Sequence, residues 1–180
     1  MYNNYLSYLR TIEDVEGCDL DFKNNNHYYL ILEHVSYAYG NQYLSLIETE
    51  FPSLVNEVIE FITLNDKFGK PNKHNFKFHN IDINCSPTSL RYVYHSLIIL
   101  QHYKNTDCKN IVEVGCGYGG LCLAINYFAK IQNVNITEYN IIDLTESCNL
   151  IKKYLNLHTN DINTIMSYHS SETYGGDVTS

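Results

Sequence analysis

The stretch NIVEVGCGYGGL, residues 110–121, decides the reading of this 180-residue chain. Ile111, Val112 and Val114 flank one acid, Glu113, in a short β-rich run that predicts a strand. Gly115, Cys116, Gly117, Tyr118, Gly119 and Gly120 follow, and residues 121–130 predict a helix that is apolar almost all round. Such a helix packs between a sheet and its neighbours. Glycine between strand and helix lets the backbone approach a ligand without an intervening Cβ, and it aims the first helix amides at that ligand.

Downstream, residues 139–144 (YNIIDL) predict a second strand ending at Asp143, and Thr145 is placed to cap a helix running to about residue 157. A weaker third strand is expected within residues 162–168, and the polar tail 169–180 reads as a loop or fraying end. Strand, glycine turn, helix, strand, helix is a βαβα order. It implies an α/β fold with a parallel sheet of about three strands and right-handed crossovers.

Upstream, the chain reads as a mostly helical N-terminal region, residues 1–84, ahead of the α/β part, residues 85–180. Residues 1–25 are polar and ambiguous, with Asn24-Asn25-Asn26 as a loop. A helix is expected over residues 27–39 with Gly40 as its stop, and a second over 42–50 ended by Pro52. A third carries Leu54, Val55, Val58, Ile59 and Ile62 on one face and ends near residues 66–69. Residues 70–84 read as a broken loop with at most a short strand. Ser86-Pro87 is an N-cap followed by proline at the first helical position, opening a helix to about Lys104.

The glycine loop fits two cofactor templates. Gly115, Gly117 and Gly120 satisfy the dinucleotide pattern; Glu113, Gly115, Gly117 and Gly119 satisfy an acidic-x-G-x-G-x-G pattern that binds S-adenosyl-L-methionine. Glu113 tips the balance. A carboxylate there attracts the methionine ammonium and repels a pyrophosphate. The position of the motif, more than a hundred residues into the chain, points the same way. Asp143 suits both templates, since a carboxylate at the end of the second strand accepts hydrogen bonds from ribose hydroxyls.

Composition bounds the rest. At 44% apolar and 18% charged residues the chain is globular. A net charge of −8 offers no basic face for nucleic acid. No apolar run has membrane-spanning length, and residues 1–11 lack the features of a signal peptide, so a cytoplasmic location is expected. Cys18, Cys85, Cys108, Cys116, Cys122 and Cys148 are scattered, with neither a CxxC pair nor clustered histidines. Free thiols and no metal site are expected.

Three blocks resemble the putative sugar O-methyltransferases of the class I S-adenosylmethionine-dependent superfamily: residues 86–94 (SPTSLRYVY), 112–121 (VEVGCGYGGL), and Ile142-Asp143-Leu144 with Lys152-Lys153-Tyr154-Leu155. The resemblance implies a Rossmann-like sheet. It implies that Glu113, Gly115, Cys116, Gly117, Tyr118, Gly119 and Asp143 bind S-adenosyl-L-methionine, and that a methyl group passes to a sugar-like hydroxyl. His79, His95 and His169 have the type of a general base, but nothing in their spacing selects one, and no catalytic residue is assigned. Thr88 and Arg91 are candidates to face the site from the preceding helix.

The complete fold of that superfamily has later strands for which residues 121–180 leave no room. A truncated or split product is therefore expected, with the motif strand as an open edge that a partner chain, self-association or the N-terminal helices would cover. Two further readings remain: a non-catalytic remnant or subunit acting by association, and a nicotinamide-dependent oxidoreductase, which Glu113 disfavours.

Overall fold

A computed structural model describes residues 2–172 of the chain. It is a mixed α/β structure with a three-stranded parallel sheet. The N-terminal part holds α1 (Tyr2–Thr11), α2 (Asn26–Leu32), α3 (Tyr37–Glu50) and α4 (Val55–Asn65), then an antiparallel hairpin of β1 (His74–Phe78) and β2 (Ile81–Cys85). Next come α5 (Pro87–Tyr103), β3 (Asn110–Val114), α6 (Gly120–Ile131), β4 (Glu138–Asp143), α7 (Thr145–Asn156) and β5 (Ile165–Ser170).

Two expectations for the N-terminal region fail, for local reasons. The helix expected over residues 27–39 stops at Leu32, because a second N-cap lies inside it. Ser36 accepts a hydrogen bond from the Tyr39 amide at 3.3 Å and starts α3 at Tyr37. Gly40 therefore sits within a helix. A Cβ there would lie 2.9 Å from the Phe76 ring and 3.1 Å from Pro87, so Gly40 is a packing contact and not a stop.

The segment 70–84, expected as a loop, is mostly the β1–β2 hairpin. His79 and Asn80 form its two-residue turn with φ of 46° and 64°, the twist that suits tight hairpins. Phe76 and Phe78 on β1, with Ile83 and Cys85 on β2, alternate with exposed neighbours and bury one face. The Ser86 cap and Pro87 start of α5 are present, with Ser86 Oγ accepting from the Thr88 amide at 3.2 Å.

The sheet has the order β3-β4-β5, and both pairings are parallel. Side chains alternate across it. Tyr139 and Ile141 are fully buried on the side of α6, where Cys122 meets Met166 of β5. On the other face Val112, Val114 and Ile165 are 57%, 74% and 64% exposed. β3 is an edge strand, as expected. The β5 strand extends through His169 and Ser170, past the expected end at 168; Ser171 and Glu172 form a turn, and residues 173–180 of the expected tail lie outside the described residues.

One core joins the two parts of the chain. Phe22 packs against Tyr28 and Tyr118 with ring centres 5.2 Å apart in both cases, and Tyr118 meets Tyr154 at 4.9 Å. Helix α1 docks on α7: the Tyr5 hydroxyl is 3.0 Å from Ser147 Oγ, and Lys153 donates to the carbonyls of Ile12, Glu13 and Val15. All six cysteines are free thiols, Cys18 and Cys108 exposed and the others buried. Among the described residues, no helix is long and apolar enough to cross a membrane, and no group of three or more histidine, cysteine or acidic side chains is placed to hold a metal.

Candidate functional site

The site is built where β3 ends. Gly115, Gly117 and Gly119 take φ of 77°, 65° and 94°, a region open to glycine at little steric penalty. Gly119 occupies the N-cap position of α6 and supplies no side chain to it. Around Gly115 a Cβ would meet nothing within 4 Å, so its backbone faces open space. Gly120 is a close-approach glycine, since a Cβ there would come 2.4 Å from the ring of Tyr92 on α5. The loop thus combines an open first half with a tightly packed second half.

Glu113 lies on the α6 side of β3, half-buried at its end. Its Oε2 accepts hydrogen bonds from the Tyr139 hydroxyl at 2.6 Å and from Cys116 Sγ at 3.2 Å. Oε1 accepts none from a described residue. Burial pushes the carboxyl above the usual range; the two donors pull it back, and nearby Asp143 adds to the rise. Asp143 stands at the end of the neighbouring strand, beyond Ile141, the register partner of Glu113. Its Oδ1 accepts from the Leu144 amide at 2.8 Å, and its Oδ2 accepts from no described residue. Thr145 was expected to cap α7. Leu144 holds that position instead, without a side-chain cap, and the Thr145 hydroxyl lies 2.9 Å from Ser170 Oγ.

Of the other candidates, Cys116 turns its thiol inward to Glu113, and Tyr118 sends its ring into the core, so both face a ligand with backbone alone. Asn65 donates to the Tyr118 hydroxyl at 3.0 Å, and Lys23 sits over the Tyr118 ring at 4.4 Å. Thr88 is buried on α5. Arg91, one turn further, places its guanidinium 5.1 Å from the centre of the Tyr92 ring, which packs edge-on against Tyr118 at 5.6 Å. His79 lies in the hairpin turn, His95 packs on Tyr43, and His169 lies on β5 beside Ile142. They come from three separate elements.

Sequence reasoning did not find the support beneath the loop. Lys23 is 1% exposed and Glu33 4% exposed, and both lie with Asn65 and Asp66 under Tyr118. Lys23 donates to the Asn65 carbonyl; burial lowers its ammonium to about 8, although Asp66 and Glu33 oppose the shift. Asp66 accepts from the Ser86 amide and the Ser89 hydroxyl, both at 2.6 Å, and Ser86 Oγ donates to Glu33 at 3.3 Å. This network fixes the start of α5 and the glycine loop to each other. A lysine followed by three asparagines gives no signal of such burial.

No family model, curated protein or solved structure matches this chain.

The arrangement brings two carboxylates to the end of the sheet. Glu113 and Asp143 end adjacent strands on either side of an open glycine backbone. A pyrophosphate would meet two carboxylates there, whereas a ligand with an ammonium group and ribose hydroxyls would find an acceptor for each.

Proposed function

We propose that this chain holds S-adenosyl-L-methionine on the Rossmann-like first half of a class I methyltransferase domain, in the service of methyl transfer to a sugar-like hydroxyl. The observation that carries the proposal is Glu113, a strand-end carboxylate with one oxygen that accepts from no described residue, beside the open backbone of Gly115. In this reading Glu113 takes the ammonium, Asp143 takes the ribose, and Gly115 and Gly117 make close backbone contact, with Cys116, Tyr118 and Gly119 shaping the loop. When bound, the cofactor supplies an electrophilic methyl group. The chain's own contribution is orientation, which in an in-line transfer supplies much of the rate. Six free thiols suit the reducing conditions of a cytoplasmic protein.

A second reading has its own observation. β3 is an edge strand whose outward valines are exposed, and the N-terminal helices leave that face open. We infer that the chain associates there with a second copy or a partner chain, and that it binds the cofactor without turnover when alone.

Incubation with methyl-labelled S-adenosylmethionine and a panel of methyl glycosides separates the two. Label in a glycoside supports transfer by the chain itself. Cofactor binding without label, in a chain that self-associates, supports the second reading.

A further inference from the structure

Tyr28 is fully buried, and its hydroxyl has no hydrogen-bond partner among the described residues. Native structures seldom leave a buried hydroxyl unpaired, because its desolvation is then uncompensated. The location of this one is specific. Tyr28 lies on α2, outside the α/β part of the chain, yet a Cβ on Gly117 would come 3.9 Å from its oxygen and 3.8 Å from the methyls of Leu32, one helical turn on. Helix α2 therefore lays one donor and one apolar side chain over the second glycine of the loop. Burial foremost, together with the negative groups around it, Glu33 and Asp143 included, pushes the phenol well above its ordinary value. It stays protonated at physiological pH and so has a proton to donate.

Resting on the cofactor reading above, we propose that Tyr28 is a ligand-binding residue whose hydroxyl donates to the carboxylate of the cofactor's amino-acid end. Glu113 then takes the ammonium of the same group, and the loop recognises a zwitterion with one acceptor and one donor. The positive and negative ends of the ligand are read from different parts of the chain: β3 supplies the acceptor, and the N-terminal region supplies the donor. Half-buried Leu32 stands beside Tyr28 over Gly117, and it must turn aside for the ligand to reach the hydroxyl.

The test is Tyr28→Phe in the full chain, titrated with S-adenosylhomocysteine and with 5′-methylthioadenosine, which lacks the amino-acid end. Loss of a hydrogen bond to a charged group predicts a weakening of roughly tenfold or more for the first ligand. The second should change less than twofold, and the thermal midpoint of the free protein should not fall, because the hydroxyl removed had no partner. Unchanged affinity for S-adenosylhomocysteine, or equal loss for both ligands, overturns the role of Tyr28 while leaving the cofactor reading intact. Failure of the unsubstituted chain to bind S-adenosylhomocysteine overturns both.

Discussion

The Tyr139 hydroxyl donates a 2.6 Å hydrogen bond to Glu113 Oε2 across the β3–β4 pair. It holds the carboxylate at the mouth of the glycine loop, where Oε1 accepts from no described residue. An acid kept half-buried with one oxygen unused is a strained choice for stability and a suitable one for binding a cation.

Glu113→Gln should separate those two properties. The folded-state carboxyl titrates above its unfolded value, so its contribution to stability is full below the unfolded value and is lost as pH rises through the folded one. Gln carries no such term. Thermal midpoints of the two proteins should converge at low pH and diverge above it, with Glu113→Gln the more stable at neutral pH. Binding of S-adenosylhomocysteine should be lost in the same variant.

Two glycines of the loop should respond in opposite ways. Gly115→Ala meets no atom within 4 Å but keeps a left-handed backbone, which costs roughly 1 to 2 kcal/mol for a residue with a Cβ. It should fold, with a modest drop in thermal midpoint, and lose ligand affinity. Gly120→Ala drives a Cβ into the Tyr92 ring and should destabilise by a larger amount, on the order of overpacking a core. Chemical denaturation paired with titration of each variant checks both.

His158 should govern part of the acid limit of the fold. It is buried between Phe68 and Tyr154, its Nε2 has no partner among the described residues, and burial above all, with Lys23 and Lys67 nearby, lowers it to about 4. The unfolded chain binds the proton at the ordinary value near 6.5, so stability falls as pH drops from there towards 4, by up to roughly 3 kcal/mol. His158→Phe should flatten the acid limb of the curve of midpoint against pH. An unchanged acid limb would remove His158 from the account.

The open face of β3 predicts association. Val114 is 74% exposed on an edge strand, so Val114→Lys should leave the thermal midpoint nearly unchanged and reduce self-association. Light scattering should find the unsubstituted chain above monomer mass and the variant closer to it. A stable monomer without dye-binding apolar surface would contradict the proposed interface.

Much of this was legible in the residues from 110 onwards. The run of Ile111, Val112 and Val114, the glycines, and the apolar helix behind them each carry a local signal, and each element formed close to its expected place. The hairpin was missed because Asp82 and Asn84 alternate with Ile83 and Cys85, and that polar half reads as loop when the turn pair is His79-Asn80 without glycine. Gly40 was misread because a packing glycine and a stopping glycine look alike until Phe76 and Pro87 are placed against it. Tyr28, Lys23 and Asp66 act on the loop through contacts between distant segments, and no spacing within the chain announces those.

Binding of S-adenosylmethionine by the loop between Glu113 and Asp143 underlies the proposed function. Calorimetric titration of the purified chain with S-adenosylhomocysteine, with NAD as control, tests it most directly. Saturable binding of the first ligand alone is expected, abolished in Glu113→Gln and in Asp143→Asn. Binding of NAD, or of neither ligand, would contradict it.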